Sequence, residues 1–290
     1  MDAKDLLLDS LDERGAAYGE KLKLCRNDFS KDAVHDLRTS IRRLLATLDV
    51  VAFVTSGSRV EKLSDRIKEQ LDSFSDLRDI QVMLGKVEEN VNTLPELEPL
   101  QNYLEKREKR KQRAEEKHVQ SIKLGGTNKR LLKIRKAVED LSAAELDDKL
   151  PQAVDEAYLT VVQRYGEIDP GQLVSIHHLR VAFKKFRYMV EAIYPCLPNF
   201  PESQLNRMHD YQTQLGNIHD DQVFLETLAQ FAKESDSYDP EPVRRFYEKV
   251  LSKALSIYIK NKDEVITFWR ATPLAAFPWQ VNQPKRKSDL

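Results

Sequence analysis

The sequence predicts an all-α fold, and three observations predict it. Apolar residues recur at spacings of three and four along most of the chain. Glycine and proline are scarce, at 9 and 12 of 290 residues. No segment alternates apolar and polar residues as a half-buried strand would. Hydrophobic residues make up 41% of the chain and charged residues 32%, enough for a packed core under strongly charged helix faces. The longest apolar run, "LLATLDVVAFV", carries Asp49 and falls short of the roughly 18 residues that a membrane span needs. The N-terminus "MDAKDLLLDSL" is acidic and lacks the basic-then-apolar order of a signal peptide.

The elements come in order. The chain enters its first helix almost at once. In the second, Leu37, Ile41, Leu44, Leu48 and Val51 form an apolar stripe; Ser30 can cap its start, and Thr55-Ser56-Gly57 ends it. Later helices are expected at about 59–91, 96–124, 129–141, 151–166, 172–194, 202–234 and 242–262. The breaks fall at Pro95, at Gly125-Gly126, in the acidic "AAELDDKLP", at "DPG" (169–171), in "YPCLPNFP" and in "SDSYDP". The segment 272–290 holds three prolines and reads as an extended tail, with Phe277 or Trp279 able to tack part of it onto the body.

A net charge of −1 hides two opposed regions. Gln101 to Lys136 holds 13 Lys/Arg against 4 Asp/Glu, and Glu202 to Glu241 holds 2 against 9. Such asymmetry signals a charged partner. Cys25 and Cys196 form neither a disulfide framework nor a metal pattern, so a reducing cytoplasm is the expected location.

The chain also resembles itself. "VHDLRTSIRRLL" (34–45) aligns with "IHHLRVAFKKFR" (176–187) at an offset of 142. "FSDLRDIQVML" (74–84) aligns with "LGNIHDDQVFL" (215–225) at an offset of 141, placing Arg78 against His219 and Asp79 against Asp220. Two blocks in the same order at nearly one offset imply two copies of a unit with roughly four long helices. Repeat one is expected at about 3–142, repeat two at about 150–265, with the acidic stretch around 139–156 as the joint.

On a helix His35, Arg38 and Arg42 share one stripe, as do His177, Arg180, Lys184 and Arg187. Each row runs beside the apolar stripe, so it should line a groove or a seam. Like charges four apart destabilise a helix by roughly 0.2–0.5 kcal/mol per pair. Such an arrangement, made twice, points to a face built for an anion. Seven residues rise about 10 Å, which suits a run of anionic groups better than one small carboxylate. The alternative is an internal network in which Asp36, Asp79 or Asp220 and other carboxylates pair the bases. A further row, Arg107, Arg110, Arg113 and Lys117, reads either as more of the site or as a solvated face. His118, His178 and His209 find no partner in the other copy and receive no role.

These motifs resemble the signature of the CHAD domain family, whose letters abbreviate a conserved histidine α-helical domain. The resemblance spans about residues 3–265 and rests on both copies of both motifs. It implies two four-helix units related by a pseudo-twofold axis, forming one compact helical domain with a basic central channel. It further implies that the channel binds inorganic polyphosphate without catalysis, and that association with polyphosphate granules occurs in some members. Carried onto this sequence, the motif residues are His35, Arg38, Arg42 and Arg43 in copy one and His177, Arg180, Lys184, Lys185 and Arg187 in copy two; Arg78 and His219, matched basic groups of the second motif, join the expected ligand set. Arg107 and Arg110 are added from the third basic row. Copy one departs from the pattern at Ser75, opposite Gly216, and at Leu45, opposite Arg187. No cofactor, metal or catalytic residue is expected. Two other functions stay open. A metal-dependent phosphohydrolase could use the pairs His35-Asp36, His209-Asp210 and His219-Asp220. An RNA or protein scaffold could use the basic rows with Tyr103 or Tyr188; nucleic acid is the less favoured partner.

Overall fold

A computed structural model describes residues 2–55 and 57–281, and the described residues are helical almost throughout, without a strand. Ten helices succeed one another: α1 (Ala3–Asn27), α2 (Lys31–Thr55), α3 (Ser58–Ser73), α4 (Ser75–Asn90), α5 (Glu98–Ser121), α6 (Leu124–Glu139), α7 (Ala143–Gly166), α8 (Leu173–Ile193), α9 (Glu202–Glu234) and α10 (Glu241–Asn261). No helix among the described residues is long and apolar enough to cross a membrane.

Shifted by about 142 residues, α1, α2 and α5 fall on α7, α8 and α10, while α3 and α4 together fall on α9. Expectation and structure differ in three places. The single helix expected at 59–91 is two, broken at Phe74, whose side chain is fully buried between two serines of poor helix propensity. Gly125 and Gly126 lie inside the first turn of α6, not in a break, because the chain turns earlier, at Ile122 and Lys123. The acidic stretch expected to join the repeats is helical. A capping box between Ser142 and Glu145 starts α7 there, and the helix runs on through Pro151. As the list of expected helices implies, α6 has no counterpart after α10.

The segment after α10 is aromatic. A 3-10 segment, Lys262–Thr267, leads into Phe268 and Trp269, both buried. The Tyr158 hydroxyl donates to the Val265 carbonyl (3.1 Å), and the Gln204 amide donates to that of Phe268 (3.2 Å). Asp155, only 6% exposed, accepts from the Trp269 indole at 2.7 Å and from Arg270 Nε at 2.9 Å and Nη2 at 2.6 Å. The expected tacking of the tail occurs through both aromatics. Phe277 stacks on Trp279 with ring centres 4.5 Å apart, and the Trp279 indole donates to the Pro198 carbonyl. The single helical turn Pro278–Val281 sits here, so this part of the tail is not extended; the rest of that expectation, residues 282–290, lies outside the described residues.

Two hydrophobic cores result. The larger gathers α1, α2, α3, α6, α7, α8, the first half of α9, the C-terminal parts of α5 and α10 and the aromatic tail. The smaller gathers α4, α5, the second half of α9 and α10. The boundary crosses α4 between Leu77 and Ile80, and α9 between Ile218 and Phe224. The repeated Arg78-Asp79 and His219-Asp220 pairs sit in those two gaps. Polar residues collect there because neither core can bury them without partners.

Candidate functional site

A cavity of about 550 Å³ opens at that boundary, and both basic rows reach it. From α2 come Arg38, Arg42 and Asp49; from α8 come His177, Arg180, Lys184, Lys185 and Tyr188. The wall is completed by Lys68, Leu71 and Asp72 of α3, Ser75 and Asp79 of α4, and His219 of α9. The rows are anchored by the opposite faces of their helices. Leu37, Ile41, Leu44 and Leu48 of α2, and Leu179, Phe183 and Phe186 of α8, are all fully buried. Burying each such side chain contributes about 1.5–3 kcal/mol, which holds the charged flank where it is.

Arg38, Arg42, Arg180 and Lys184 form the centre. Among the described residues none of them has a carboxylate within 4.0 Å. Arg38 is 6% exposed, and its Nη1 donates to the Leu71 carbonyl (3.0 Å). Burial is the first cause that lowers the pKa of all four groups; neighbouring cations add to it at Arg38, Arg42 and Lys184, whereas at Arg180 Asp220 and Asp79 oppose it. At Arg42 the Tyr188 hydroxyl partly offsets this. The arginines start so high that they stay charged at neutral pH. Lys184 does not: burial, Arg42, Arg180 and Arg38 push its ammonium down to about 6 despite Asp220. Burial raises Asp79 and Asp220, against the pull of Arg38 and Arg180 respectively. The two carboxylates thus stand near the cations without pairing them, and Asp36 bonds Lys21 instead at 2.8 Å. The internal network considered from the sequence is therefore not what these three acids build.

His177 and His219 face each other across the α8–α9 contact with Nδ1 atoms 3.2 Å apart. One imidazole donates and the other accepts, so the bond requires at least one neutral ring. Burial, Arg180 and His177 push His219 down to about 4; burial and Arg180 lower His177. His35 is exposed at the edge of the site, outside the cavity wall, and its pKa is lowered by burial of the ring and by Arg78. Arg78 is half-buried behind it, close enough to act on His35, Arg38 and Arg42.

Five other expected residues do not stand free in the cavity. Arg43 pairs with Glu191 at 3.5 Å, and Lys185, still in the wall, pairs with Asp49 at 3.1 Å. At the offset of 142, Arg43 matches Lys185 and Asp49 matches Glu191. The two bridges are therefore one interaction made reciprocally, as a local twofold relation between α2 and α8 produces. Arg187 is 7% exposed and turned away from the cavity, held by Glu191 at 2.8 Å and by the Gln212 amide oxygen at 2.8 Å. Ten residues of helix advance 1000°, which leaves Arg187 about 80° off the stripe of His177. Arg107 and Arg110 lie on α5, outside the wall; Arg107 covers the Tyr103 ring at 5.5 Å, and Arg110 is exposed. The basic row on α5 faces solvent because its apolar side belongs to the smaller core.

Sequence reasoning missed Lys68, Asp49, Asp72 and the wall position of Tyr188. Lys68 carries a usable signal, since at the offset of 141 it stands opposite His209, a basic group in both copies. Tyr188 is 7% exposed and fits the apolar pattern, but its hydroxyl end reaches the cavity. The three His-Asp pairs do not converge, and among the described residues no three His, Cys, Asp or Glu side chains gather as a metal site would need.

The fold has solved relatives. The crystal structure of the CHAD domain from the plant Ricinus communis matches with a TM-score of 0.65 at 17% identity, over 92% of each chain. PptA from Streptomyces chartreusis matches with a TM-score of 0.68 at 15% identity, over 90% of this chain and 100% of that one. At such identities the likeness concerns the fold alone. No curated relative matches the chain. The family model of the CHAD domain matches residues 11–229, well over half the chain and both copies of both motifs; the chain belongs to the CHAD domain family.

Proposed function

We propose that the chain is a non-catalytic binding module for inorganic polyphosphate, with the cavity between α2 and α8 as the centre of a basic channel. One observation carries this reading: four basic side chains from two repeated rows, three of them charged at neutral pH in the free cavity, lie together without a carboxylate partner among the described residues. A phosphate chain offers an anion at every unit, and charge-assisted hydrogen bonds to it replace the repulsion that the free cavity bears. Arginine supplies bidentate forks and lysine a compact charge. A cytoplasmic, granule-associated protein would meet this ligand. Calorimetric titration with polyphosphate at rising salt tests the proposal. Engaging about four cations, the protein should lose affinity steeply, by roughly 10²-fold between 50 and 200 mM salt. Binding that is flat with salt, or phosphate released from the polymer during the titration, would overturn it.

The titration of Lys184 yields a second expectation. Between about 6 and its ordinary 10.5, the unfolded chain holds a proton that folding expels, so stability climbs as pH rises through this window. Methionine removes that slope. Lys184→Met is expected to melt higher than the wild type at pH 7 and to bind polyphosphate more weakly, by about tenfold for one lost charge-assisted bond. A bound chain restores the ammonium, so the wild type should take up close to one proton on binding near pH 7.5. That uptake is read from calorimetric heats in buffers of different ionisation enthalpy, and it should vanish in the variant. A variant that melts lower and binds equally well would contradict the assignment. The histidines act below their ordinary value of 6.5, because His35, His177 and His219 are all depressed. Their contribution to affinity grows as pH falls and is complete only below the free-state values, about 4 for His219.

A further inference from the structure

A second concentration of cations lies on the seam between α3 and α6. Arg59 and Lys62 come from the start of α3; Lys129, Arg130, Lys133 and Lys136 come from α6. They line three pockets of about 320, 200 and 320 Å³, and Lys133 lines all three. Lys129, Lys133 and Lys136 share one face of α6 over about 10 Å. Asp140 is the one carboxylate in these walls, and among the described residues none of the six cations is ion-paired. The contrast with the next base on the helix is direct: Arg135 is held by Asp12 and Glu139. Part of the basic excess found in the sequence is thus spent on α6, the helix without a counterpart in repeat two.

The chemistry of the walls narrows the ligand. No aromatic ring lines them, so they offer no platform for nucleic-acid bases. Their apolar part is limited to Gly126, Ala137 and lysine stems, too little to hold an organic ligand. Leu132 is the one large apolar side chain of α6 that is strongly exposed (61%), far short of a membrane-inserting face. What fits is a run of anions with no apolar portion.

We infer that the α3–α6 seam is a second phosphate-chain site, separate from the cavity, so that one long polyphosphate joins protein molecules cavity to seam. The inference rests on the proposed function. Continuity within one molecule is opposed by α3 itself. Lys68, in the cavity wall, lies nine residues from Arg59, about 14 Å along the helix and half a turn around it. The exposed Glu61 and Asp65 stand between them along the helix.

Calorimetry with short-chain polyphosphate, and light scattering with long-chain polyphosphate, test the inference. Two variants are compared with the wild type: Arg59→Gln/Arg130→Gln/Lys133→Gln at the seam and Arg38→Gln/Arg180→Gln in the cavity. Circular dichroism checks their fold, and Lys133→Arg serves as a charge-preserving control that should behave as wild type. The wild type should bind two equivalents of the short chain and each multiple variant one. Long chains should raise scattering only with the wild type and the control. Two equivalents in the seam variant would overturn the inference. So would one wild-type equivalent that only the cavity variant loses, an outcome that leaves the proposed function standing. Binding lost only in the seam variant would support the seam and remove the cavity. No binding to the wild type would remove both.

Discussion

Arg38→Gln/Arg180→Gln is expected to lower polyphosphate affinity at the cavity by at least 100-fold. Hydrogen bonds to a charged group contribute about 1.5–3 kcal/mol each. Losing one from each row removes about 3–6 kcal/mol, and each 1.4 kcal/mol is a factor of ten. Because both positions lie in the cavity, the salt dependence should also flatten, by about one unit of slope per lost cation. The fold should tolerate the change, since the substitution relieves repulsion between Arg38 and Arg42 and removes a costly desolvated charge. Arg110→Gln is the matched control. It removes one positive charge from the exposed face of α5, outside the cavity wall, and should keep affinity within about twofold under moderate salt, which screens exposed charges. A double variant that binds like this control would refute the placement of the site.

Asp155→Ala should cause the largest loss of stability. Its carboxylate is buried under the Trp269 indole and the Arg270 guanidinium, and alanine leaves that guanidinium unpaired near the core. Breaking such a pair costs about 3–5 kcal/mol. For a chain of this size that is a fall in Tm of about 5–8 °C. Asp155→Asn, which still accepts from the indole, should lose less. The measurement is thermal unfolding by circular dichroism. A shift under about 1 °C for the alanine variant would mean that the clip contributes little.

These two predictions differ in how visible their residues are in the sequence. The all-α fold and the convergence of the two rows were legible because the same spacing occurs twice, 142 residues apart, and a helix turns spacing directly into facing. Arg38 and Arg42 lie within seven residues of His35, and Arg180 and Lys184 within seven of His177, a span over which 3.6 residues per turn and a strict stripe still agree. Arg187 lies beyond that span and drifts onto Glu191. Arg43 and Lys185 stand about 100° round from Arg42 and Lys184, and their partners Glu191 and Asp49 are on the opposite helix, which no local pattern reveals. Phe74 looked like one more apolar position in a long helix; only its insertion into the core breaks the chain there. Asp155 read as part of an acidic joint, because its partners arrive more than a hundred residues later.

That lateness has a consequence for synthesis. Chains emerge from the ribosome N-terminus first, and domains form as their parts become available. Here α7 and α8 wait for Phe268, Trp269, Arg270 and Trp279 to close the larger core around them. A nascent chain displaying all the bases of the cavity would still hold Asp155 without its indole and guanidinium. Competence to capture a polyanion should therefore lag behind translation of the motifs themselves, and arrive only as the closing aromatic segment clears the exit tunnel.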